Sequence, residues 1–126
     1  MIKFSKFLDD LLLNPSTKKK IKIIIDYFIS LETTEKELAL SILSKNFSTR
    51  FVKPNDIKAM IKRKISDELF SYSYDYVGDL AETFSLLWPK KKEKKKISFL
   101  FFMKSINKYN NKESLLNFLE RTFDNI

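Results

Sequence analysis

Residues 69–88 read LFSYSYDYVGDLAETFSLLW and contain Gly78, the only glycine of the chain, together with its only tryptophan. A lone glycine after a helical run is typical of a helix C-terminus, because glycine adopts a positive φ at little steric cost. Asp79 and Glu82 follow with the spacing of a capping box, which predicts a new helix start. Pro89 ends that second helix. The stretch therefore predicts two short helices that meet at a tight corner.

The composition extends this helical prediction to the whole chain. One glycine and three prolines among 126 residues leave little material for hairpin turns, and a hydrophobic share of 44% suffices for one core. We therefore expect a single all-α domain over residues 1–126, a compact array of about eight short helices. Cysteine and histidine are absent, which excludes disulfides, thiolate nucleophiles, histidine bases and Cys/His zinc sites.

Apolar spacing and cap residues place these helices along the chain. The predicted helices cover residues 2–13, 17–31, 35–44, from 55 or 56 through 64, 67–77, 80–88, 97–109 and 112–123. Ser16 or Thr17 is expected to cap the second helix, and Thr34 with Glu37 forms a capping box for the third. The second helix is predicted to turn an apolar stripe inward, made of Ile21, Ile24, Ile25, Phe28 and Ile29.

The two ends of the chain resemble each other when Phe4 is aligned with Phe99 without a gap. Both ends then show the same helical hairpin with its turn at the same position, which indicates two pseudo-symmetric halves. The predicted organisation is a first half at about 1–65, a corner at 66–89, a basic linker at 90–96 and a second half at 97–126. Because the first half continues beyond its hairpin, we expect the second half to be incomplete and the chain to be the front part of a longer protein.

The formal net charge of +8 favours polyanionic partners such as nucleic acid. No apolar run approaches the roughly 20 residues that span a bilayer, and Asp9 and Asp10 interrupt the N-terminal apolar stretch, so a signal peptide is not predicted. The expected location is the cytoplasm. A membrane-surface role is disfavoured, because the first and third predicted helices carry acids on their polar faces.

The corner closely resembles a segment of the N-terminal DNA-binding domain of ATP-dependent DNA ligases, especially the bacterial branch. The matching residues are Tyr74, Val77, Gly78, Asp79, Leu80, Ala81, Glu82, Thr83, Leu86, Leu87 and Pro89. The resemblance implies a helical array of two halves that grips nicked double-stranded DNA largely without regard to sequence. In the whole protein it implies nick sealing in DNA repair, replication and recombination, with ATP and a divalent cation such as Mg²⁺ held by separate catalytic domains of the same chain.

The family's Lys-x-Asp-Gly adenylation motif is absent, since Gly78 follows Val77. We therefore expect these residues to bind no cofactor or metal, to contain no catalytic residue and to be inactive alone, as a monomer. The alternative is a helical protein–protein interaction module with a basic surface and no DNA role. It predicts an exposed apolar patch and no affinity for DNA.

The stretch 45–54, KNFSTRFVKP, is the main candidate for phosphate contacts, because it has three cations, two hydroxyls and no acid before a helix start. Asn111 and Lys112, at the start of the last helix, are expected to form the matching contact of the second half. The candidate DNA-binding residues are Lys45, Ser48, Thr49, Arg50, Lys53, Asn55, Lys58, Lys62, Asn111 and Lys112. Gly78, Asp79 and Glu82 are assigned to the structural corner.

Overall fold

The computed structural model describes residues 2–44, 51–90 and 95–126, and these ranges contain eight α-helices and no strand. The prediction of an all-α chain with about eight helices is confirmed. Within the same ranges, no helix combines the length and apolar character needed to cross a membrane. The helices are α1 (Ile2–Leu13), α2 (Thr17–Ile29), α3 (Thr33–Leu43), α4 (Pro54–Lys62), α5 (Asp67–Val77), α6 (Leu80–Leu87), α7 (Phe99–Lys108) and α8 (Lys112–Asn125).

The corner between α5 and α6 forms as its sequence predicts. Gly78 ends α5 with φ of 76°, and its N–H donates to the carbonyl of Tyr74 at 2.8 Å. Asp79 caps α6 by accepting the N–H of Glu82 at 2.8 Å. Ser16 caps α2 in the same manner, so the N-cap of α2 is Ser16 and not Thr17.

Two predicted helix starts are wrong. α3 begins at Thr33 with Glu32 as its N-cap, so Thr34 and Glu37 do not form a capping box. The earlier start places an acid, Glu35, in the first turn, where the helix macrodipole favours negative charge. α4 begins at Pro54 rather than at Asn55 or Asp56, because proline suits the first helical position, where no N–H partner is needed.

The first compact unit is built from α1, α2, α3 and α7. Its core contains Phe7 and Ala39 together with three residues of α7, namely Phe99, Met103 and Ile106. Phe7 stacks on Tyr27 with ring centroids 4.0 Å apart. Aromatic stacking therefore joins α1 to α2 in this unit.

The apolar stripe of α2 is not buried, which corrects the sequence prediction. Ile21, Ile24, Ile25 and Ile29 are exposed, and α2 contains no buried residue. The helix instead packs through Tyr27 and Phe28, whose rings meet Phe7 of α1. Packing through an aromatic pair at the edge of the stripe leaves the isoleucines in solvent.

The second compact unit is built from α4, α5, α6 and α8. Its core is formed by Met60, Ile61, Phe70, Thr83, Phe84, Trp88, Leu115 and Leu119. Phe123 of α8 stands edge-on to Phe84, at 5.1 Å between ring centroids.

The two compact units cut across the two halves of the sequence repeat, because α7 belongs to one unit and α8 to the other. The arrangement in two pseudo-symmetric halves stays a prediction.

Candidate nucleic-acid interface

The first part of the candidate site is the N-terminus of α4. Lys53 is extended, with φ of −111°, and its N–H donates to Asp56 Oδ2 at 2.9 Å. This bond fixes where the helix starts, since Pro54 has no N–H to donate. Lys53 and Asn55 are both exposed there. The local sequence thus presents a cation and an amide at a helix N-terminus.

The second part is the N-terminus of α8. Asn111 is extended and accepts the N–H of Ser114 at its side-chain oxygen, at 2.8 Å. Lys112, the first residue of the helix, extends its ammonium to Asp56 Oδ1 at 2.6 Å. This ion pair brings the N-termini of α4 and α8 together, although they are far apart in the sequence.

A second group of ion pairs links the two residues that follow α4 to the C-terminal half of α8. Glu120 of α8 accepts from Arg63 Nη2 and from Lys64 Nζ, each at 3.0 Å. Lys64 also lies 3.5 Å from Asp124. Because the pairs join start to start and end to end, α4 and α8 run parallel. Their N-terminal partial positive charges, about half an elementary charge each, therefore add at one place.

Asp56 is the acid of this cluster that pairs with Lys112, and Glu113 is a second acid in the first turn of α8. The hydrogen bond from Lys112 and, after it, the bond from the Lys53 N–H hold the pKa of Asp56 below its ordinary value of 3.8. The carboxylate therefore stays ionised at neutral pH and holds the Lys112 ammonium in an ion pair. Sequence analysis missed this acid as part of the site. Its position in the first turn of α4 is the only signal for it, and periodicity does not reveal Lys112 as its partner.

The structure places Lys58 and Lys62 apart from the two N-termini, on the side of α4 that meets α5. The ammonium of Lys58 lies over the ring of Tyr74, 4.8 Å from its centroid. Lys62 lies 5.7 Å from the centroid of Phe70 and 3.8 Å from Asp67. Both lysines therefore support the packing of α4 on α5 through cation–π contacts.

The remaining predicted contacts lie outside the described residues, namely Lys45, Ser48, Thr49 and Arg50. The structure thus brings together Lys53, Asn55, Asn111 and Lys112 out of the predicted cluster. Gly78, Asp79 and Glu82 form the corner between α5 and α6, as their structural assignment requires.

Acidic groups elsewhere do not assemble a metal site in the parts of the chain that the structure describes, where no three acidic side chains come together. No protein-family model matches the sequence, and comparisons with curated proteins and with solved structures give no match.

Proposed function

We propose that this chain binds nicked double-stranded DNA without sequence specificity, as the N-terminal domain of a cytoplasmic ATP-dependent DNA ligase. The resemblance of the α5–α6 corner to that family motivates the proposal. The observation that carries it is the parallel pair of α4 and α8, whose N-termini converge with Lys53 and Lys112 beside them. Two helix N-termini and two ammonium groups are suited to the oxygens of a phosphate backbone.

The chemistry of the site favours backbone contacts over base recognition. Ammonium groups act as point charges toward phosphate, and backbone N–H groups carry no base code. The side-chain amides of Asn55 and Asn111 add neutral donors at the same end of the helices. Such a site contacts the phosphate backbone without reading its sequence, as a nick-sealing enzyme needs.

In the whole enzyme, we propose, this domain holds the duplex while separate domains of the same chain perform the chemistry. Those domains would carry the adenylated lysine, ATP and Mg²⁺, and would form the phosphodiester bond during repair, replication and recombination. This chain has no Lys-x-Asp-Gly sequence and is proposed to act by binding alone.

Fluorescence anisotropy with labelled nicked duplex, intact duplex and single strand, each over a salt series, tests the proposal. If about six phosphates are engaged, log K should fall against log salt with a slope near −5. The double variant Lys53→Ala/Lys112→Ala should flatten that slope by roughly 2, because each lysine neutralises one phosphate. The matched control, Lys3→Ala/Lys104→Ala, removes two exposed lysines of α1 and α7 and should leave the slope nearly unchanged.

Two outcomes would count against the proposal. Equal slope changes in the two double variants would mean that DNA binding depends only on the total charge of the chain. The N-termini of α4 and α8 would then not form a DNA-binding site. A complete lack of duplex binding at low salt would favour the alternative, a helical protein–protein interaction module. The exposed isoleucines of α2 are the observation that supports this alternative.

A further inference from the structure

The helix α5 exposes aromatic side chains that its own packing does not use. Tyr72 and Tyr76 are 76% and 93% exposed, and they lie one helical turn apart. The opposite side of α5 does the packing, because Phe70 is buried and Tyr74 lies beneath the ammonium of Lys58. The two exposed tyrosines therefore need a role other than stabilising the core.

A cleft of about 280 Å³ lies beside these tyrosines, between α5 and α6. Tyr72 and Tyr76 form one wall, and Leu86 and Leu87 belong to the other. Leu86 is itself exposed. The cleft is large enough to accept an inserted apolar side chain. We name the surface made of Leu69, Tyr72, Tyr76 and Leu86 the tyrosine face.

The charge around the tyrosine face is opposite to that of the whole chain. Residues 67–89 contain five acids and no lysine or arginine, whereas the chain carries a net charge of +8. Glu68 and Asp75 are exposed on α5, each about one helical turn from Tyr72, and Glu82 is exposed one turn before Leu86 on α6. Acids therefore accompany the apolar residues on both helices.

We propose that the tyrosine face docks a lysine- and arginine-rich segment of a partner protein, which inserts an apolar side chain into the cleft. Exposed tyrosines supply large, rigid contact area and are enriched at the energetic centres of interfaces. The surrounding acids attract a basic segment and repel the phosphates of DNA. The chain's own residues 90–96, KKKEKKK, do not fit this description, because they offer no apolar side chain.

A labelled peptide of about 15 residues, roughly four helical turns with lysine on one face and leucine on the other, serves as the probe in fluorescence anisotropy. The intact chain should bind it, and Tyr72→Ala/Tyr76→Ala should weaken binding by about tenfold or more. Phe101→Ala removes an exposed aromatic ring of α7 and is the matched control, with unchanged binding expected. Tyr72→Phe/Tyr76→Phe keeps both rings and should retain most of the affinity.

The charge requirement is tested separately. Glu68→Gln/Asp75→Asn should weaken binding about threefold and reduce its salt dependence, whereas Asp9→Asn/Glu37→Gln, two exposed acids of α1 and α3, should not. A peptide with glutamate in place of lysine should not bind. Tyr72→Ala/Tyr76→Ala should leave the affinity for nicked duplex, measured without the peptide, unchanged, so that failure of this proposal is distinguishable from failure of DNA binding.

Three results would overturn the proposal. The first is no binding of the lysine peptide at concentrations up to about 1 mM. The second is an equal loss of affinity in the Phe101→Ala control. The third is self-association of the chain in sedimentation equilibrium that Tyr72→Ala/Tyr76→Ala abolishes, since a second copy would then occupy the tyrosine face.

Discussion

At the scale of single residues, the effect of backbone strain on stability can be measured by itself at Gly78. Its φ is 76°, and a Cβ built at this position meets no other atom within 4 Å. Any loss on substitution therefore comes from backbone strain alone. Gly78→Ala should lower the free energy of unfolding by about 1–2 kcal/mol, measured by urea denaturation.

Gly78→Asn is the matched comparison, because asparagine adopts the left-handed conformation more readily than alanine. Its loss of stability should be smaller than that of Gly78→Ala. An alanine variant as stable as wild type would mean that the chain ends α5 in another way.

Asp56 is the residue that sets how freely Lys112 meets phosphate under the proposed function. Asp56→Asn keeps an oxygen for the Lys53 N–H but removes the charge that pairs with the Lys112 ammonium. DNA affinity should therefore rise several-fold, because Lys112 no longer has to leave the carboxylate to meet phosphate, while the salt slope stays near that of the wild type. Anisotropy against nicked duplex measures both quantities.

The control for this variant is Asp9→Asn, which changes the net charge equally at an exposed position of α1. It should give a smaller rise in affinity and no change in slope. Equal effects of the two variants would place Lys112 outside the DNA site.

At the scale of helices, the α4–α8 pair depends on Glu120, whose side chain is 24% exposed and accepts from both Arg63 and Lys64. Glu120→Gln should lower the free energy of unfolding by about 1 kcal/mol, because it weakens two ion pairs in a partly buried network. Urea denaturation measures the change. In a Lys64→Met background the same substitution should cost less, and an undiminished cost would assign the effect to packing rather than charge.

Helix ends and helix faces differ in how well the sequence predicts them. Gly78, Asp79 and Ser16 form hydrogen bonds within a few residues of themselves, so their capping role can be predicted from the local sequence. The exposed stripe of α2 shows the opposite case. A 3.6-residue period identifies an apolar side but not its partner, and the stack of Tyr27 on Phe7 directs packing to a neighbouring side.

The same distinction holds for the candidate site. Lys53, Asn55, Asn111 and Lys112 were predicted from residue type and helix starts, which are local properties. The pairing of Lys112 with Asp56 joins distant parts of the chain and leaves no periodic signal. The sequence likewise does not predict that Lys58 packs on Tyr74. This cation–π contact depends on the angle between α4 and α5, which is not a local property.

At the scale of the whole molecule, each compact unit contains, among the residues that the structure describes, a group whose pKa is raised. In the first unit, burial, followed by repulsion from Glu35, raises the pKa of Tyr27 above 10.0. In the second, the hydrogen bond to Glu120, with further attraction from Asp124, raises the pKa of Lys64 above 10.5. Both groups hold their protons more tightly when folded, so both contributions are fully present below pH about 10.

The free energy of unfolding should therefore fall as the pH rises from about 10 through the raised pKa values, because the unfolded chain then releases protons that the folded chain retains. Tyr27→Phe keeps the ring that stacks on Phe7 and removes the ionisable hydroxyl, so its stability should fall less steeply than that of wild type. Urea denaturation at pH 7, 9, 10 and 11, values that bracket the ordinary tyrosine pKa of about 10, measures the difference. Tyr76→Phe removes an exposed hydroxyl instead and should follow the wild-type curve. A Tyr27→Phe curve that also follows wild type would show that the phenol of Tyr27 remains hydrated in the folded chain.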